Sequence, residues 1–252
     1  MSFVMALINY SHKEARKVVY IFLIYYGLTF VIGVEGMDAA GYAQRLRDNA
    51  LLPFSDFFKI VGGIYSSDTS VDIIEPLISF IVSRFTNNHL VLFAFYAAVF
   101  GFFYLKSINL LHDRYMREKP GMNAWIVLAF FVMILPISNI NGFRMWTAAW
   151  VFFYGAYHVI LFRDTKFLIV ALSASLVHFS FITANIILII YFFAGNRNLI
   201  YIPITLASFV VPQIVSPFIQ TMSLKLGGGL QGRVQSYTSE GYILFRQEDY
   251  EN

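Results

Sequence analysis

The chain has 252 residues, of which 58% are hydrophobic and only 13% charged, with a mean hydropathy of +0.63; an ordinary soluble domain carries roughly 25% charged residues. This composition predicts an integral membrane protein forming one compact domain, since no polar stretch is long enough to fold separately. The formal charge of +3 sits in short loops, where it sets membrane orientation and not nucleic-acid binding, and the lack of cysteine excludes disulfides, thiolate metal sites and cysteine nucleophiles.

The first apolar run, Val18 to Val34, follows Lys13, Arg16 and Lys17. It is longer than a signal-peptide core, and Glu35-Gly-Met-Asp offers no small-x-small cleavage site, so a retained anchor with a cytoplasmic N-terminus is expected. The loop 35–72 carries Glu35, Asp38, Asp48, Asp56, Asp68 and Asp72 against Arg45, Arg47 and Lys59, an acidic balance that places it outside. Ile73 to Val82 is too short to cross and has Pro76 near its start, which predicts a half-helix or re-entrant segment. Leu90 to Leu105 is the next span, and Lys106, Arg114, Arg117 and Lys119 mark the loop after it as cytoplasmic.

Ala124 to Ile140 returns outward and Gly142 to Phe162 comes back in, ending at Arg163 and Lys166. Phe167 to Phe193 is longer than one span requires and either tilts or breaks near His178. Leu199 to Ile219 is the last span, with Pro203, Pro212 and Pro217 predicting kinks. The expectation is an all-α, polytopic transmembrane bundle over 1–219, with about six full spans plus the half-helix, followed by a polar segment 220–252 that contains a flexible Gly227-Gly-Gly229 turn. Aromatic residues, 27 Phe and 16 Tyr among them, suit interfacial belts and packed helix faces.

Arg144 opens an apolar span, where an unpaired guanidinium at mid-bilayer depth costs up to about 3 kcal/mol. It either snorkels to lipid phosphate or joins Asn139, Asn141 and the helix N-terminus in an anion site fit for phosphate or pyrophosphate. His178 falls on a polar stripe with Ala171, Ser175, Ile182 and Asn185, so it either bonds neighbouring helices or binds or protonates a substrate. Asp38 and Tyr42 stand one helical turn apart, and Glu75-Pro76 opens the half-helix; each acid is either solvated or capping charge, or a general base toward a sugar hydroxyl. No Asp-x-Asp pair, His-Glu-x-x-His site, Gly-x-Ser-x-Gly elbow or Walker loop is present, which disfavours nucleotide-fuelled chemistry.

In order along the chain, Asp38-Ala-Ala-Gly-Tyr42, Glu75-Pro76, Asn141-Gly-Phe-Arg144 and His178-Phe-Ser180 resemble the EpsG/Wzy-like bacterial polysaccharide polymerases. The resemblance implies a GT-C-like membrane glycosyltransferase of the bacterial cytoplasmic membrane, acting at its outer face in exopolysaccharide, capsule or O-antigen synthesis. Its substrate would be a polyprenyl-pyrophosphate-linked oligosaccharide within membrane lipid, alongside other polysaccharide-assembly proteins and with no cofactor, metal or nucleotide. Arg144 would then neutralise the departing pyrophosphate, His178 would be a phosphate ligand or proton-transfer group, and Asp38 or Glu75 a base. Asn139, Asn141, Tyr42 and Ser180 would contact substrate.

Family members continue through further spans. Either a span is miscounted within Phe167 to Phe193, or the chain is a truncated or divergent member. A transporter of lipid-linked sugars and a noncatalytic membrane subunit are the competing expectations; the first requires a polar path to both faces.

Overall fold

The structure, a computed structural model, describes residues 2–33, 37–58, 72–116 and 121–208, and every regular element among them is helical. Among the described residues, two segments are long and apolar enough to cross a membrane: His89–Tyr115 and Met122–Phe162. The chain divides into two units, Met1–Asp56 with Asp72–Leu188, and Phe57–Val71 with Ile189–Asn252.

In the first unit, α1 (Phe3–Ile8) leads into α2 (Lys13–Leu28). The expected span to Val34 is cut short at Thr29, whose hydroxyl donates to the carbonyls of Tyr25 and Tyr26 and competes with continuation of the helical ladder. The acidic stretch that follows contains α3 (Met37–Ala50) and is not simply a loop. Ala39, Tyr42, Ala43 and Leu46 form its buried stripe, with the spacing of an amphipathic helix face. The expected half-helix is α4 (Ile74–Ser83), ten residues and about 15 Å long.

The longest helix, α5 (His89–Tyr115), starts at Asn88, whose side chain accepts from the Leu90 amide. Its 27 residues rise about 40 Å, and Phe93, Tyr96, Ala97, Phe100 and Tyr104 carry the core side. Helix α2 lies against it where Gly27 faces Ala94 and Ala97; a Cβ on Gly27 would sit 2.7 Å from that of Ala97. Such close approach is how small residues let helix backbones pack without a hydrophobic driving force.

The apolar helix α6 (Met122–Ile134) has no buried residue, as expected of a lipid-facing helix. Pro136 follows its end, and a 3-10 turn over Ile137–Gly142 leads into α7 (Phe143–Phe162), so the expected span to Ile140 stops earlier. Phe131 packs on Trp150 and Phe153, and Trp150 donates from Nε1 to the Leu135 carbonyl; α7 therefore returns alongside α6. Next, α8 (Phe167–Val177) packs on α7 where Gly155 meets Ala171.

The long run 167–193 breaks at His178, which is extended at φ −148° and ψ 120°, and helix resumes as α9 (Phe181–Ala194). Asn185 reaches back to Ser175 Oγ at 2.7 Å, whereas ten residues of straight helix would separate them by about 15 Å. The chain reverses at His178, and the single long span is replaced by two short helices.

The second unit, taken by itself, continues α9 past Leu188 and contains α10 (Asn198–Ser208) with Pro203 inside it. Tyr201 donates to the Gly195 carbonyl there. Pro212, Pro217, the segment 220–252, and Arg117 and Lys119 of the basic loop lie outside the described residues.

Two glycines carry opposite expectations, one at a helix crossing and one in open space. Gly155→Val places methyl groups where Ala171 already stands and is expected to cost about 1–3 kcal/mol. Gly41, inside α3 with open space around it, is expected to gain about 0.5–1 kcal/mol as alanine. Thermal unfolding in detergent micelles measures both; a neutral Gly155→Val would contradict the close α7–α8 approach.

Candidate functional site

Arg144 lies in the first turn of α7 and leaves its side chain 17% exposed. Its Nη1 donates to Asp72 Oδ2 at 3.1 Å and its Nε to Tyr42 Oη at 3.1 Å. The remaining Nη2 points toward Asp38 Oδ1 at 3.7 Å, too far for a hydrogen bond. The side chain of Asp38 is 60% exposed, and Nη2 has no hydrogen-bond partner among the described residues. The guanidinium also sits 5.7 Å from the Tyr42 ring centroid, within cation–π range.

Asp72, only 1% exposed, joins the elements. Its Oδ2 also meets His178 Nδ1 at 3.0 Å, and its Oδ1 accepts from the Phe179 amide at 2.8 Å. The next residue, Ile73, donates its amide to the Leu176 carbonyl at the end of α8. One buried carboxylate thus ties the start of α7 and the α8–α9 reversal to the start of α4. Burial pushes the Asp72 carboxyl up, but the hydrogen bonds from His178 and the Phe179 amide, with the charges of His178 and Arg144, outweigh it and hold it below the usual range. Burial also pushes the Tyr42 phenol up to about 12, against the pull of Arg144. Tyr42 therefore remains a neutral phenol at pH 7.

A second layer holds this one. The Tyr42 ring meets Tyr96 edge-on at 5.5 Å, and Tyr96 stacks at 4.0 Å on Phe143, the residue before Arg144. The Tyr96 hydroxyl donates to Glu75 Oε1, while Arg45 of α3 pairs with Glu75 Oε2. Glu75 is fully buried with both oxygens engaged, so it braces α3, α4 and α5 behind the site. Just past the far end of α3, Arg84 donates to the carbonyls of Leu52 and Asn49, tying that turn to the end of α4.

Asp38, Tyr42, Arg144 and His178 lie together around Asp72 and the Arg144 guanidinium. No hydrogen bond links Asn139 or Asn141 to Arg144 among the described residues; Asn141 is exposed and accepts from the Gly142 amide at 2.9 Å. Arg144 takes carboxylates and a phenol as its partners instead. Ser180 is exposed in the turn after His178. The polar stripe through His178 does not lie on one helix, because the reversal separates Ser175 from Asn185 in the chain while their side chains bond across it.

Sequence reasoning missed Asp72, Arg45, Tyr96 and the Phe179 amide. The available signal for Asp72 was its place as the last acid before an apolar half-helix, where an isolated charge demands a partner. No family model, curated protein or solved structure matches the chain. The geometry therefore bears the functional argument: a guanidinium held through Nε and Nη1, with Nη2 left without a hydrogen-bond partner among the described residues, near an imidazole whose Nδ1 meets a buried carboxylate.

Since the Asp72 carboxyl is depressed from 3.8, its ionised form contributes stability above that value, which is lost as pH falls through the lower folded value. Asp72→Ala is expected to cost about 3 kcal/mol near pH 7, because it leaves Arg144 short of its buried partner. The gap to the parent should hold down to about pH 4 and close below it; unfolding curves taken from pH 7 to 3 test this, and a gap unaffected by acid would contradict it.

Proposed function

We propose that the chain is a polytopic, GT-C-like glycosyltransferase of the bacterial cytoplasmic membrane. In this reading it joins polyprenyl-pyrophosphate-linked oligosaccharide repeat units at the outer face, in the manner of the EpsG/Wzy-like polymerases. The bundle is polytopic with a cytoplasmic N-terminus, fewer full spans than the six read from sequence because 167–193 turns back on itself, and its working partners are lipid-linked sugar and other polysaccharide-assembly proteins.

The observation that carries the proposal is the fixed Arg144. Tyr42 and Asp72 hold Nε and Nη1, so the guanidinium loses little orientational entropy when Nη2 meets an anion. A leaving pyrophosphate gains negative charge as the glycosidic bond breaks, and a preorganised donor at that position stabilises the transition state more than the ground state. Asp38, 3.7 Å from Nη2 and largely exposed, suits a sugar hydroxyl, from which it can accept a hydrogen bond.

A transporter would need polar groups continuing to the other end of the bundle. Between Tyr96 and the next charged cluster at His112, Asp113 and Arg16 lie about 24 Å of α5. Phe100, Leu105 and Ile108 are buried on its core side, which disfavours such a path along this helix.

A polymerase-deficient host making the cognate lipid-linked repeat tests the proposal by the length ladder of its surface glycan. The parent is expected to restore the ladder, and Arg144→Lys, which keeps the charge near Asp72 but loses the guanidinium fork, should lower polymerisation by roughly a hundredfold. A ladder unchanged in an equally abundant, folded Arg144→Lys and Arg144→Ala would overturn the role of Arg144. Failure of the folded parent in a host rescued by a full-length polymerase would overturn the function.

A further inference from the structure

Among the three acids and one imidazole near Arg144, His178 is the group that, among the described residues, combines a basic atom without a partner and a fixed orientation. Glu75 is fully buried, and its two oxygens face Tyr96 and Arg45. Asp38 is exposed and lies against Arg144. Asp72 is buried and accepts from Arg144, His178 and the Phe179 amide. His178 is 16% exposed, its Nδ1 meets Asp72 Oδ2 at 3.0 Å, and its Nε2 has no hydrogen-bond partner among the described residues.

The backbone fixes this imidazole as well. The His178 amide donates to the Ala174 carbonyl at 2.9 Å and its own carbonyl accepts from Phe181 at 3.1 Å, so the reversal is pinned on both sides. Asp72 cannot easily swing away, because the amide of Ile73 is held by Leu176. In a neutral imidazole one nitrogen carries the proton and the other a lone pair; an ionised carboxylate at Nδ1 selects the Nδ1–H form and leaves the lone pair on Nε2.

We infer that His178 Nε2 is the proton acceptor of the site and that Asp72 is its positioning residue, setting its tautomer and orientation while holding Arg144 beside it. The inference rests on the polymerase reading for its substrate, a sugar hydroxyl. In the step, the acceptor oxygen forms a bond to the anomeric carbon and the bond from that carbon to the pyrophosphate oxygen breaks. The electron pair leaves with pyrophosphate beside Arg144, and the hydroxyl proton passes to His178 Nε2.

Nitrogen-15 NMR of the full chain labelled at its five histidines reads the tautomer directly, the His178 signals being those lost in His178→Asn. Neutral His178 should carry its proton on Nδ1 in the parent. Asp72→Asn should shift the population toward Nε2–H, as loss of the orienting carboxylate does in a catalytic triad. In His178→Asn the introduced amide nitrogen can stand near the position of Nδ1 and still donate to Asp72, so this variant should unfold close to the parent temperature. It should nonetheless polymerise at least about a hundredfold more slowly, the usual scale of general-base loss.

A parent with the Nε2–H form, a tautomer indifferent to Asp72→Asn, or a folded His178→Asn with a full ladder would overturn the inference. The expected tautomer and switch in a folded parent that makes no ladder would support the pairing and contradict the polymerase reading, so the two failures are distinct.

Discussion

A carboxylate with 1% exposure is expensive unless donors surround it, and Asp72 obtains them from parts of the chain far apart in sequence. Arg144 is 72 residues away and His178 is 106. Removing any one donor leaves charge or a polar group uncompensated in a poorly solvated place, so the start of α7, the α8–α9 reversal and the entry to α4 stabilise one another. This dependence also explains the break at His178. A continuous helix through 167–193 would bury the His178 and Phe179 amides in its own ladder, whereas the reversal releases the Phe179 amide for Asp72.

The surrounding apolar structure makes the polar cluster rigid. Phe143, Tyr96 and Tyr42 stack and tilt against one another immediately behind Arg144, and the Glu75–Arg45 pair fastens α3 to α4 at the same level. Farther along the bundle, Gly27 and Gly155 bring α2 to α5 and α7 to α8 closely enough that dispersion contacts replace the hydrophobic force that lipid cannot supply. Helix α6 contributes little of this packing, and its apolar surface suits hydrocarbon. The result is a firm wall with a charged cluster at one end. That combination suits chemistry in which a guanidinium must already be oriented when a leaving group becomes anionic.

Local signals made much of this legible. Gly142 and the apolar run to Phe162 marked α7 almost to the residue, and the short run with Pro76 near its start marked α4. The excess length of 167–193 carried the alternative of a break near His178. Arg144, by its position at the edge of an apolar run, announced that an anion had to be near. What stayed hidden was long-range or masked by composition. The charges of 35–72 obscured the Ala39, Tyr42, Ala43 and Leu46 stripe of α3. Asp72 looked like any other acid in that stretch because its partners lie beyond the reach of spacing arguments. Asn139 and Asn141 were attractive for being adjacent to Arg144 in sequence, yet a guanidinium on a long side chain reaches across helices, and the turn kept Asn141 for itself.

Arg144 and Asp72, joined at 3.1 Å within one buried network, act as one energetic unit. A double-mutant cycle of thermal unfolding with Arg144→Gln, Asp72→Asn and the pair tests it most directly. Coupling of about 1 kcal/mol or more is expected for two groups sharing a buried hydrogen-bonded network, whereas additivity within about 0.5 kcal/mol would contradict the account.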